Sequence, residues 1–115
     1  MRNFLKNLFG GGDSSENVEP VNLENAVRKF VNVSGRVQGV GFRFFVQQTA
    51  VNLKVTGWVK NESDGTVSME IQAEPQILDK LIATIKKGNG ISKVSKMTEE
   101  NLEVVEGENK FVITY

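Results

Sequence analysis

Between Ser34 and Phe44 the chain reads Ser-Gly-Arg-Val-Gln-Gly-Val-Gly-Phe-Arg-Phe, and Arg43 stands where a predicted helix has just begun. A glycine-rich turn that runs into a helix gathers unpaired backbone N–H groups and the positive end of the helix dipole at one place, which is an anion site. The same dipole opposes a cation in the first helical turn. Arg43 therefore makes sense there if an anion lies between the two. The other reading is that Gly35, Gly39 and Gly41 only permit a tight turn while Arg43 points into solvent. The spacing is not that of a nucleotide loop: there is no Gly-Lys-Ser/Thr ending and no dinucleotide fingerprint.

The elements that must position this stretch are legible from periodicity. Residues 28–35 alternate apolar and polar and form a first strand, with Val31 and Val33 toward the core. Phe42, Phe45, Val46, Thr49, Ala50 and Leu53 fall at helical spacing, and this helix ends near residues 52–54. Residues 55–61 form a second strand, 61–65 a turn closed by Asp64-Gly65, and 66–74 a third strand. In the third, Val67, Met69, Ile71 and Ala73 alternate with Thr66, Ser68, Glu70 and Gln72, so one face should be buried and the other wet. Pro75 opens a second helix with Leu78, Leu81, Ile82 and Ile85 as its apolar stripe and Lys86-Lys87-Gly88 at its end. A strand of poor periodicity over 92–104 and a short one over 111–115 complete the chain.

Strand, helix, strand, strand, helix, strand is the order of a ferredoxin-like split βαββαβ sandwich, an α+β fold. It has an antiparallel sheet of four or five strands with two helices on one face. In that fold the first and second strands run in the same direction with the third between them. The loop after Gly35 and the residues after Val59 then emerge at one edge of the sheet, about 10 Å apart. Asn61 should face the loop across a gap with room for a phosphate and a water.

None of the groups at this edge is a general base tuned near neutrality. An amide such as Asn61 takes no proton, but it can hold a water in line with a phosphorus atom. The chemistry that suits such a site makes small proton demands. A mixed anhydride qualifies, because an acyl phosphate leaves as a carboxylate that needs no general acid, and the phosphate's own oxygens accept the water's proton. An alkyl phosphate ester would leave as a poor alkoxide. The protein's part is positioning and charge stabilisation on the phosphoryl oxygens.

Composition narrows the field further. With 115 residues and 39% hydrophobic content, one domain with an ordinary core is expected. Fourteen basic and fourteen acidic residues balance, so no overall field draws in nucleic acid or an anionic membrane. Histidine and cysteine are both absent, which removes the usual zinc sites, Ser-His-Asp catalysis, phosphohistidine chemistry and cysteine-dependent phosphatases. The lack of cysteine suits a reducing compartment, and a cytoplasmic location is expected. Residues 1–26 read as a flexible N-terminal extension ahead of a domain at 27–115. Phe4, Leu5, Leu8 and Phe9 are interrupted by Lys6 and Asn7, Gly10-Gly11-Gly12 is a break, and 13–24 is acidic and polar. The apolar positions at 4–9 would make one face of a short docking helix, which is marginal in isolation. Nothing in the chain resembles a signal peptide or is long enough to span a membrane.

Gly35-Arg36-Val37-Gln38-Gly39-Val40-Gly41-Phe42-Arg43, followed by Gly57-Trp58-Val59-Lys60-Asn61 and Asp64-Gly65-Thr66-Val67, closely resembles the two signature segments of the acylphosphatases. The resemblance runs from about residue 28 to 115. It implies a ferredoxin-like fold and hydrolysis of small acyl phosphates to carboxylate and inorganic phosphate, with no metal and no cofactor. It also implies Arg43 as the phosphate-binding arginine and Asn61 as the residue that orients the water. The phosphate would sit on the loop of Arg36, Val37, Gln38, Gly39, Val40, Gly41 and Phe42. The chain is expected to act as a monomer. Two departures from the family bear on stability. Many members have glycine where Lys54 stands, so a non-glycine residue here is expected in a left-handed conformation. Gly88-Asn89-Gly90 replaces a common proline, which should loosen that connection.

Phe42 and Phe45 belong to the apolar stripe and Trp58 to strand packing. Gln38 is expected to hold the loop's shape, Arg36 to be solvated or salt-bridged, and Asp64 and Gly65 to serve the turn. The competing function is a non-catalytic small-anion-binding regulatory domain of the same fold, which would use the same loop. RNA binding on the open sheet face is disfavoured, because the third strand offers Ser68, Glu70 and Gln72 where stacked aromatics would be needed.

Overall fold

The computed structural model describes residues 24–115, so the short apolar face at 4–9, the glycine break and nearly all of the acidic stretch lie outside the described residues. In chain order the elements are β1 (Val27–Arg36), α1 (Phe42–Leu53), β2 (Thr56–Asn61), β3 (Val67–Ala73), α2 (Pro75–Lys87), β4 (Lys93–Leu102) and β5 (Phe111–Thr114). They form one five-stranded sheet in the order β4-β1-β3-β2-β5. Both β1 and β2 run antiparallel to β3, from Val33↔Val67 on one side to Asn61↔Val67 on the other. The two strands that lead into the candidate site are thus parallel to each other, with β3 between them.

The split βαββαβ core is as expected, and the fifth strand departs from a wholly antiparallel sheet. β5 pairs parallel with β2, from Gly57↔Phe111 to Lys60↔Thr114. The reason is topological. β4 runs against β1 at one edge, the connection over 103–110 carries the chain to the far edge, and the reversal brings β5 in along β2.

The helical face of the sheet holds the core. Val31, Val33, Val59, Met69 and Ile71 are fully buried there with Phe42, Val46 and Ala50 of α1 and Leu78, Leu81 and Ile85 of α2. The periodicity of β3 predicted this half of the strand well and the other half poorly, because Ser68 and Gln72 are buried as well. Ser68 Oγ accepts a hydrogen bond from Asn32 Nδ2 at 3.0 Å. Gln72 pairs twice with Val105, accepting from its N–H at 2.8 Å and donating to its carbonyl at 2.9 Å. The chain between β4 and β5 therefore covers the end of the face that the alternation left to water.

Arg28 sits under the same connection, 3% exposed, and donates to Glu70 at 2.7 Å, to Gln72 at 3.0 Å and through two nitrogens to Glu108 at 2.8 and 3.2 Å. Burial works against its charge, but the hydrogen bonds and charges of Glu108 and Glu70 outweigh that and raise its pKa above the ordinary arginine value.

Helix α1 ends as the sequence implies. Lys54 has φ 61° and ψ 37°, and it is the one non-glycine among the described residues with positive φ. The Lys54 N–H bonds the Val51 carbonyl at 3.1 Å and the Val55 N–H bonds that of Ala50 at 2.8 Å, a Schellman closure. The helix α2 carries Pro75 at its start and Lys86 and Lys87 in its last turn.

Candidate active site

β1 leaves the sheet through an irregularity in its pairing with β4 between Ser34 and Gly35, and the Val37 N–H closes back on the Gly35 carbonyl at 3.1 Å. Gly39 and Gly41 both have φ 75°, a conformation that L side chains rarely adopt. Left-handed residues placed alternately along a short loop turn its N–H groups to one side. Within the described residues no hydrogen bond uses the N–H groups of Gln38, Gly39, Val40, Gly41 or Phe42. Helix α1 follows directly, with no side-chain cap and no acid in its first turn. The free N–H groups and the dipole of α1 thus lie uncompensated by any side chain of the loop.

The loop's shape is held from two sides. Gln38 Nε2 donates to the carbonyls of Glu62 and Thr66, each at 2.8 Å, so this side chain ties the loop to the β2–β3 turn. That turn is itself closed by Asp64, whose Oδ1 accepts from the Thr66 hydroxyl at 2.7 Å and its N–H at 3.0 Å. The hydrogen bonds from Thr66 hold the Asp64 carboxyl below the ordinary carboxylate value. On the other side, Asn89 Nδ2 donates to the Val40 carbonyl at 2.9 Å. Asn89 Oδ1 accepts from the N–H groups of Ile91 and Ser92 at 3.0 and 2.8 Å. The Gly88-Asn89-Gly90 connection is therefore fastened to the loop and not loosened as expected. In the sequence an asparagine between two glycines reads as local turn chemistry, and the long-range partner of Asn89 leaves no periodic trace.

Beside the loop is a cavity of about 260 Å³. Gly39, Gly41, Arg43 and Asn61 supply its polar lining, Val37 and Phe42 join from the core, and Phe44, Ile113 and Tyr115 complete it. No acidic residue lines it. Asn61, the last residue of β2, has its Oδ1 shielded from solvent without any hydrogen-bond partner. A buried amide oxygen in that state is an acceptor waiting for a donor. Arg43 donates from Nη1 to the Thr114 carbonyl at 3.3 Å and lies over the Tyr115 ring, 4.8 Å from its centroid. One turn further along α1, Gln47 Nε2 donates to the Phe111 carbonyl at 3.1 Å. β5 thus seats the helix that carries Arg43.

The structure brings Arg43 and Asn61 together with Val37, Gly39, Gly41 and Phe42 around one cavity. Gln38 and Val40 belong to the scaffold of the loop and do not line the cavity. Arg36 is exposed and lines a separate open depression with Ile91, Ser92 and Lys93, so it is not part of the cradle. Phe44, Ile113, Thr114 and Tyr115 stand beyond the residues the sequence points to: Phe44 lies off the helical stripe that periodicity marks, and where β5 joins the sheet is not written in its local pattern. Trp58 packs edge-on against Phe30 at 6.4 Å, and Phe42 lies 6.2 Å from Phe45, both in structural roles. Among the described residues no group of three or more His, Cys, Asp or Glu is arranged to hold a metal ion, and no helix is long and apolar enough to cross a membrane.

The acylphosphatase family model matches residues 29–113. An acylphosphatase of Clostridium beijerinckii is 47% identical over 89 residues, 77% of this chain and 99% of that one. An acylphosphatase of Geobacillus kaustophilus is 48% identical over 88 residues, 76% of this chain and 94% of that one. The crystal structure of acylphosphatase from Bacillus subtilis superposes with a TM-score of 0.74 at 38% identity, covering 77% of this chain and 99% of that one.

Proposed function

We propose that this chain, which belongs to the acylphosphatase family, hydrolyses acyl phosphates with Arg43 and the loop amides on the phosphoryl group and Asn61 on the attacking water. The activity is that of an acylphosphatase; the division of labour among residues is our reading. The observation that carries it is the pairing of two unmet demands around one cavity. A run of backbone donors has no acceptor, and the Asn61 Oδ1 acceptor has no donor. A phosphoryl group answers the first and a water the second.

In this reading the phosphoryl oxygens take the N–H groups of residues 38–42 and the guanidinium of Arg43. Of Arg43's five N–H donors one is engaged, by the Thr114 carbonyl, which leaves the fork available to an anion. Asn61 Oδ1 accepts a hydrogen bond from the water and holds its lone pair toward phosphorus. The water oxygen forms the new P–O bond while the bond to the acyl oxygen breaks, and the electron pair leaves on the carboxylate. The water's proton passes to a phosphoryl oxygen, so the products are carboxylate and dihydrogen phosphate and no side chain need change its protonation state. What the protein supplies is a preorganised positive field and a fixed approach.

The balanced charge gives nucleic acid no general attraction, and the lack of cysteine suits a reducing cytoplasm. We assign no part of the chemistry to residues 1–26. The test is acyl-phosphate turnover by the purified protein beside Arg43→Ala. A regulatory anion-binding domain would bind phosphate and release no carboxylate.

A further inference from the structure

Phe44 and Tyr115 are the two exposed aromatic side chains among the described residues, at 61% and 91%, and both line the cavity that holds Arg43 and Asn61. Ile113 stands with them. Phe44 lies off the core stripe of α1 and is not among the residues packed against the core. Scattered apolar side chains on a surface need no explanation, but two aromatic rings at the mouth of one polar cavity mark a place where something apolar is covered. The phosphoryl end of an acyl phosphate is fully accounted for by the loop, Arg43 and Asn61. Its organic end, one bridging oxygen away, must leave the cradle past whatever lines the rest of the cavity.

We propose that Phe44, Tyr115 and Ile113 form a shelf for the acyl group, so that in this chain these side chains, Phe44 above all, set how strongly an aromatic acyl phosphate is favoured over acetyl phosphate. The inference rests on the hydrolytic reading of the same cavity. The Arg43 guanidinium lies over the Tyr115 ring at 4.8 Å, which puts that ring beside the phosphoryl site, and Phe44 follows Arg43 directly in the first turn of α1. A ring resting on these two side chains loses its contact with water in the ground state and keeps it lost in the transition state. Such uniform binding appears in KM more than in kcat.

The experiment measures kcat and KM for benzoyl phosphate and acetyl phosphate with the full chain, Phe44→Ala and Phe44→Trp, together with inhibition by inorganic phosphate. Phe44→Ala should lower the benzoyl-to-acetyl ratio of kcat/KM about tenfold, chiefly through KM for benzoyl phosphate, as expected for one ring face withdrawn from contact. Phe44→Trp should keep or raise the ratio, and phosphate, which has no acyl group, should inhibit Phe44→Ala as it does the full chain. An unchanged ratio in Phe44→Ala, with both substrates still turned over, overturns the shelf and leaves the hydrolytic reading standing. So does a loss of phosphate inhibition as large as the loss in benzoyl KM, since Phe44 would then be shaping the cradle. Turnover of neither substrate by the full chain would remove the hydrolytic reading and the shelf with it.

Discussion

The side-chain amide of Asn89 donates to the backbone carbonyl of Val40 at 2.9 Å, so the turn after α2 is tied to the glycine-rich loop after β1 across 49 residues of chain. The same side chain organises its own turn through Ile91 and Ser92. Within the proposed site the N–H groups of residues 38–42 are kept for a phosphoryl group, so they are not what holds the loop. It is held instead by a carbonyl, at Val40, and by the side chain of Gln38.

Asn89→Ala should therefore weaken phosphate binding although Asn89 lines no part of the cavity. It strands the Val40 carbonyl and two turn N–H groups, at a cost of about 1–2 kcal/mol in stability. Denaturant unfolding and competitive inhibition by phosphate check the two parts. An unaltered inhibition constant would show that the loop keeps its shape without this anchor.

Arg43 and Asn61 should fail differently. Arg43→Ala removes charge and forked hydrogen bonding from ground and transition states alike, so phosphate inhibition and turnover should both suffer. Asn61→Ala acts on the water, and turnover should fall on the order of a hundredfold or more while phosphate still binds. Both variants should stay folded, since neither residue belongs to the core. If Asn61→Ala lost phosphate affinity as fully as Arg43→Ala, Asn61 would be shaping the loop and not holding the water.

Lys54→Gly should stabilise the fold by up to ~1 kcal/mol, because the Schellman closure requires a left-handed residue and glycine adopts it without the Cβ clash. Thermal unfolding measures it. A neutral or lowered midpoint would mean that the gain is cancelled by the extra freedom glycine brings to the unfolded chain.

Asp64 sets an acid limit on the β2–β3 turn. Its folded-state pKa lies below the ordinary value of 3.8, through hydrogen bonds from Thr66. The charged form is thus favoured by folding, and the linked stability is present above that value and lost as pH falls through the folded pKa. The difference in unfolding midpoint between the full chain and Asp64→Ala should be constant from neutrality down to about pH 4 and shrink below it. A difference as large at pH 2 as at pH 7 would assign the effect to shape and not to charge.

The pattern that made this fold readable is local, and so are its failures. Val67, Met69, Ile71 and Ala73 announced a buried face by alternation, and Phe42, Val46 and Ala50 announced a helix by spacing. Arg43 was conspicuous because it breaks a rule that α1 otherwise keeps, and Asn61 followed from strand direction alone. Gln72 reads as wet in the sequence because its cover, Val105, is 33 residues away in a connection without periodicity. Arg36 adjoins the loop in sequence, whereas in the fold it is the exposed last residue of β1. Tyr115 and Thr114 meet Arg43 only because β5 crosses to the far edge of the sheet, and no short window contains that fact.

The hydrogen bond from Arg43 to Thr114 closes over 71 residues. During synthesis the loop and its helix leave the ribosome early, and the strand that seats them is among the last segments of the domain to emerge. An emerging chain therefore carries the loop after β1 and the helix with Arg43 long before it carries the strand that seats them.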